Sequence, residues 1–184
     1  MKLLIASDIH GDFDCALALA ERYRQSGAER LLLLGDLLYH GPRNDLPAGY
    51  APKKVIELLN TMKEHILCVR GNCEADVDQM VLDFPVLAEY AFVEADGVRL
   101  LATHGHKYGI DCPPPLRSGD VLLCGHTHVS AAVPFGNGNV YINPGSTSIP
   151  KEGTPKSYIL LENGVFSFRR LDSGEEYKSF QIKN

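Results

Sequence analysis

The 184 residues are 45% hydrophobic and 22% charged, ordinary values for a globular chain with a sizeable core. A net charge of −5, with no Lys/Arg cluster longer than a pair, argues against a dedicated nucleic-acid surface, which needs a positive footprint. No apolar stretch reaches membrane-spanning length, and five scattered cysteines without a Cys-x-x-Cys pair point to reduced thiols in a cytoplasmic protein.

Leu3 to Ala6 is a short apolar run that reads as a strand buried on both faces, and its position directly after Lys2 leaves no room for a signal peptide. The run leads into Asp8-Ile9-His10, followed by Gly11. In extended chain, residues two apart project to one side, so Asp8 and His10 can converge on a single point. Taken alone, Asp8 reads equally well as a helix N-cap. Apolar residues at 13, 16, 17, 19, 20 and 23 predict a helix from Asp12 to Gln25, stopped by Ser26-Gly27. Leu31 to Leu34 is the second expected strand, and it ends at Gly35-Asp36. Strand, helix, strand implies a right-handed crossover and a parallel pair, which brings Asp8 and Asp36 to one edge of the sheet. The Pro- and Gly-rich loop from His40 to Pro52 is long for a connector and directly follows Asp36, as functional loops do. Pro52 suits the first turn of a helix through Met62. His65 to Val69 reads as a third strand and ends at Arg70-Gly71-Asn72-Cys73-Glu74.

A short helix is expected from Ala75 to Phe84, after which the chain turns mainly β. Tyr90–Glu94 and Val98–Thr103 flank Asp96-Gly97, a hairpin signal, and Tyr158–Leu161 and Val165–Arg169 flank Asn163-Gly164 in the same way. Val121–Cys124 and Val140–Ile142 are further short strands. No linker or repeat divides residues 1–184, so a single α/β domain is expected. Two of the later strands run into histidine pairs, His104-Gly105-His106 and Gly125-His126-Thr127-His128. Chance supplies roughly half an Asp-x-His in a chain of this composition, but only about two in a hundred Gly-His-x-His motifs. Asp, Asn and His without thiolates suit hard-to-borderline divalent ions and differ from a Cys-rich structural zinc pattern.

Asp8-x-His10, Gly35-Asp36, Gly71-Asn72, His104-Gly-His106 and Gly125-His126-Thr-His128 together resemble the calcineurin-like metallophosphoesterases in content, order and spacing. The resemblance extends to Asn143-Pro144-Gly145-Ser146. Within the family, Gly41-Pro42-Arg43-Asn44 and Gly71-Asn72-Cys73 look most like the bacterial YfcE-type phosphodiesterases. It implies a two-sheet β sandwich flanked by helices. It also implies that Asp8, His10 and His128 bind one metal ion, that Asn72, His104 and His126 bind a second, and that Asp36 bridges both, with His106 outside the set. Two divalent ions are expected, manganese first, with zinc, iron, nickel or cobalt as alternatives. The implied reaction is hydrolysis of a small-molecule phosphodiester by a hydroxide shared between the ions. The competing readings are a phosphomonoesterase or nucleotide phosphatase and, from another class, a non-catalytic interaction scaffold on the same fold. Arg43 is the candidate for meeting a substrate phosphate. Asn72 and Cys73 are the catalytic candidates, but Cys73 stands where many family members carry a histidine that protonates the leaving group, so general-acid help is expected to be poor. Homo-oligomer formation is left open.

Overall fold

The computed structural model describes residues 1–182. Strands β1 (Leu3–Ala6), β2 (Arg30–Leu33) and β3 (Ile66–Cys68) pair in parallel, joined by helices α1 (Phe13–Ser26) and α2 (Pro52–Asn60). On the other flank of β1, the antiparallel strands β9 (Ser157–Glu162), β10 (Val165–Arg170) and β11 (Glu176–Gln181) complete a six-stranded mixed sheet. The second sheet has five strands: β4 (Ala91–Ala95), β5 (Val98–Ala102), β6 (Val121–Leu123), β8 (Asn139–Pro144) and, at its edge, β7 (Ser130–Phe135). Of these, β5, β6 and β8 are mutually parallel.

The period of two along each strand sorts the side chains into layers. Leu3 and Ile5 of β1, with Leu32 and Leu34, face the second sheet and pack against Leu100, Val121, Leu123, Phe166 and Phe168. Their alternates Leu4, Ala6, Leu31 and Leu33 pack under the helices against Leu19, Val55 and Leu59. Burial on both faces is why β1 and β2 read as continuous apolar runs. The predicted sandwich of two sheets flanked by helices is therefore present. Both hairpin signals hold as well: Asp96-Gly97 and Asn163-Gly164 have φ of 49°, 75°, 52° and 72°, the paired positive values of a type I′ turn.

Three local expectations differ from the structure. Strands β7 and β11 were not expected; both lie at sheet edges, where β7 is a run of small residues interrupted by Pro134 and β11 is largely polar and exposed. The helix expected over residues 75–84 shrinks to α3 (Asp76–Gln79). Beyond it, the Gln79 side chain donates to the Leu82 and Phe84 carbonyls and accepts from the Val86 N–H, bonds that replace a helical continuation. The third is His65, which closes a 3-10 turn ahead of β3 rather than starting the strand, and is exposed. Among the described residues, no helix is long and apolar enough to cross a membrane.

Candidate active site

The C-terminal ends of β1, β2, β3, β5, β6 and β8 deliver the singled-out residues to one place. Past β1 and β2 the two chains stay zipped together: Asp8 N donates to Gly35 O at 3.1 Å, His10 N to Asp36 O at 2.9 Å, and Gly11 N to Leu37 O at 2.8 Å. Asp8, His10, Asp36, His126 and His128 all have left-handed backbones, with φ between 49° and 67°. Asp and His tolerate that region better than most residues, and strain of this kind concentrates at functional sites. Asp8 is therefore not a helix N-cap; Asp12 fills that role for α1, accepting from Cys15 N at 3.0 Å.

Each of three imidazoles is locked in orientation. Nδ1 of His10, His104 and His128 faces the carbonyls of Tyr39, Leu34 and Ile149 at 2.8, 2.6 and 2.8 Å. A carbonyl only accepts, so Nδ1 carries the proton and Nε2 presents a lone pair inward. Those lone pairs converge. His10 Nε2 lies 3.2 Å from His128 Nε2, and His104 Nε2 lies 3.3 Å from His126 Nδ1 and 3.1 Å from Asn72 Oδ1. Asp8 Oδ1 stands 3.5 Å from His10 Nε2 and 3.3 Å from His128 Nε2, buried and without a hydrogen-bond donor. Asp36 lies between the two groups, with Oδ2 3.7 Å from His10 Nε2 and 3.4 Å from His104 Nε2. Acceptors facing acceptors at these distances repel, and a cation among them removes the conflict. The sets Asp8/His10/His128 and Asp8/Asp36/His104 each bring one donor atom per residue within 4.8 Å of one another.

The electrostatics agree. Burial would raise the Asp8 carboxyl, yet His10 and His128 outweigh it and hold it below the usual carboxylate range. Asp36 behaves alike, with His104 overcoming burial. Burial would lower His104, but Asp36 and Asp8 lift it to about 9, so without a cation its Nε2 holds a proton at the place a metal ion would otherwise take. The buried carboxylates thus draw positive charge to the cluster.

The remaining candidates fall into place around it. Cys73 N donates to Asp36 Oδ1 at 2.9 Å, and Cys73 Sγ accepts from Asn72 Nδ2 at 3.2 Å. Burial, and then Asp36, push the Cys73 thiol well above its ordinary range, so it is protonated. A small cleft of about 40 Å³ opens over the cluster, bordered by Gly41 to Asn44, by Cys73 and by Lys151. Arg43 is therefore at the rim, while the far end of its loop serves α1, with Gly49 O accepting from Phe13 N at 2.8 Å. His106 stays outside, its ring 5.4 Å from that of His104. His40 packs its ring between Tyr39 and Tyr50 and is absent from the cleft lining.

Sequence reasoning missed Lys151, whose exposed side chain no motif marks. It also understated Asn143 to Ser148. Ser146 and Ser148 hydroxyls both donate to the Asp8 carbonyl, at 2.8 and 3.0 Å. The Asn143 amide donates to Gly125 O at 2.7 Å and to Thr127 Oγ1 at 3.1 Å, holding the loop that carries His126 and His128. The Ser-Thr-Ser run after Gly145 was the available signal.

Facing sheets whose parallel strand ends converge on an Asp, Asn and His cluster define a metallophosphoesterase architecture. The chain belongs to the calcineurin-like phosphoesterase superfamily, a family of hydrolases whose domain model matches residues 1–164. It is 50% identical over 172 residues to phosphodiesterase YfcE of Escherichia coli strain K12, covering 94% of this chain and 93% of that protein. The solved structure of YfcE, a phosphoesterase from E. coli, matches with a TM-score of 0.95 at 46% identity over 100% of both chains. Probable metallophosphoesterase YsnB of Bacillus subtilis is 27% identical over 191 residues, 98% of this chain and 97% of that one. Vps29 of Entamoeba histolytica, solved with zinc, shares the fold alone, with a TM-score of 0.59 at 18% identity over 100% of both chains.

Proposed function

We propose that the protein is a metal-dependent phosphodiesterase working through two divalent ions, manganese being the first choice. The observation that carries this reading is the inward convergence of locked imidazole lone pairs around Asp36, with the Asp8 Oδ1 orphaned beside them. Asp8, His10 and His128 would hold one ion; Asn72, His104 and His126 would hold the other; Asp36 would touch both. When bound, such a pair activates a water for in-line attack on phosphorus and neutralises charge developing on the phosphoryl oxygens. The protein's own part is orientation. The Tyr39, Leu34 and Ile149 carbonyls fix three imidazoles, and Cys73 N–H fixes the Asp36 carboxylate. Arg43 at the rim would meet the non-reacting charge of the substrate. The neutral Cys73 thiol offers at most a weak proton to the leaving oxygen. The 50% identity to a phosphodiesterase favours a diester over a monoester, and the filled ligand set speaks against a non-catalytic scaffold.

We read residues 1–184 as one domain, because the ligands come from both sheets, and place it in the cytoplasm on its five free cysteines. The test is a metal-by-substrate screen of chelator-stripped protein with bis(p-nitrophenyl) phosphate and p-nitrophenyl phosphate. Manganese-dependent hydrolysis favouring the diester is expected. A preference for the monoester would make the protein a phosphomonoesterase, and inertness with every metal would leave the scaffold.

A further inference from the structure

We infer that Glu74 is a positioning residue that locks the bridging carboxylate of Asp36 in place, an inference that rests on the metal-site reading above. The side chain is 4% exposed and lines no part of the cleft. Its carboxylate takes three backbone N–H groups from two different strand ends. Oε1 accepts from Leu37 N at 2.7 Å, and Oε2 accepts from Asp36 N at 2.9 Å and from Gly71 N at 2.5 Å. One anion thus staples the loop after β2, which carries Asp36, to the loop after β3, which carries Asn72 and Cys73.

The fit leaves no slack. A Cβ at Gly71 would stand 2.1 Å from Asp36 Oδ1 and 2.7 Å from Glu74 Oε2, so the loops can close on the carboxylate only with glycine there. Asp36 also sits in the left-handed region, at φ 56°, a conformation that needs an external hold. Charge-assisted bonds to its own N–H and to the next one supply that hold. The Cys73 N–H then fixes Asp36 Oδ1, which leaves Oδ2 aimed between His10 and His104. The consequence is specific: Glu74 acts on metal affinity through Asp36, not on substrate binding.

The test uses full-length, chelator-stripped protein titrated with Mn2+ by calorimetry. In Glu74→Gln, an NH2 group must face either Leu37 N–H or the Asp36 and Gly71 pair, so at least one donor meets a donor. Manganese affinity should fall by about 10–100-fold, the usual loss when an outer partner of a metal ligand is removed. At saturating manganese, KM for bis(p-nitrophenyl) phosphate should stay at the wild-type value. Glu74→Asp keeps the charge but is one methylene too short to reach both loops, and it should weaken affinity in the same direction. Leu59→Ala, a truncation in the helical layer, controls for general destabilisation and should lower the melting temperature without moving the manganese Kd. Wild-type affinity in both Glu74 variants, or a loss matched by Leu59→Ala, would overturn the inference while leaving the metal site standing. A wild-type protein that binds no divalent ion would sink the metal-site reading itself, and this inference with it.

Discussion

Replacing Asp36 by asparagine puts the bridging role to its sharpest test. An asparagine carbonyl in place of Oδ1 would keep the Cys73 N–H bond, now 2.9 Å long. The NH2 would then take the place of Oδ2, 3.4 Å from His104 Nε2 and 3.7 Å from His10 Nε2. Two ligand lone pairs would meet N–H donors, and a negative charge would be lost. At an effective dielectric of about 20, a unit charge roughly 3.5 Å from that oxygen interacts by about 5 kcal/mol. Relief of the repulsion from Asp8 offsets part of this. Taking about half as the net loss, some 2.5 kcal/mol, manganese affinity falls on the order of 100-fold. At a manganese concentration near 100 times the wild-type Kd, binding stabilises the wild type by about 2.7 kcal/mol and the variant by only about 0.4 kcal/mol. With about 2–4 °C per kcal/mol for a chain of this size, the manganese-induced rise in Tm shrinks from about 5–11 °C to about 1 °C. In chelator the loss is of another kind: the variant gives up the carboxylate that pairs with His104, so it should melt below wild type. Scanning calorimetry with and without manganese reads both effects. A wild-type rise in Tm, or near-wild-type turnover at saturating manganese, would remove Asp36 from the bridge.

Three further outcomes are expected. Arg43→Ala, which takes an exposed cation from the cleft rim, should raise KM for charged diesters about fivefold, the scale of one exposed ion pair, with metal content by elemental analysis unchanged; equal KM across several substrates would reduce the loop to a connector. Cys73 offers little proton transfer, so turnover should fall steeply as leaving-group pKa rises, with Cys73→Ala nearly silent on nitrophenyl diesters and Cys73→His recovering part of the 10²–10⁴-fold that general acids typically contribute; a shallow dependence abolished by Cys73→Ala would make the thiol a working acid. Gly35→Ala should cost about 3 kcal/mol or more in urea denaturation at constant m, because Gly35 sits at φ 93° and its Cβ would stand 2.4 Å from Gly71 N; a loss under about 1 kcal/mol would show that the two loops can part.

The sequence made the interior legible and the margins illegible. Leu3 to Ala6 and Leu31 to Leu33 are buried on both faces and so leave short apolar runs, which Gly35, flanking the second, tips toward a strand over a buried helical turn. Strands β7 and β11 owe their conformation to the neighbour they hydrogen-bond, β8 and β10, and not to any pattern of their own. The stretch 75–84 fails for a related reason: a side chain, Gln79, spends its amide on backbone groups that a helix would have satisfied, and no periodicity records that exchange.

At the site the division is chemical. Metal-seeking side chains are rare enough in combination to stand out, which is why the residues now clustered at the strand ends were visible as three x-separated pairs, Gly-Asp and Gly-Asn. Much of what orients them was invisible, because it is done by backbone groups that every residue has. Carbonyls of Tyr39, Leu34 and Ile149 set the imidazole tautomers, and backbone N–H groups gather Glu74. The x-separated spacing suggested extended chain, with both side chains thrown to one side. In the structure Asp8 and His10 instead reach a common point through left-handed turns after the strands have ended, and the same turns at His126 and His128 send one ring to His104 and the other to His10. These side chains reach the cluster because the backbone curls, and that curl needs anchors: Ser146 and Ser148 on the Asp8 carbonyl, Asn143 on Gly125. These anchoring hydroxyls and amides belong to the end of β8 and the segment after it, more than a hundred residues from Asp8. Ligand chemistry is thus written locally in this chain, while ligand geometry is fixed across both sheets.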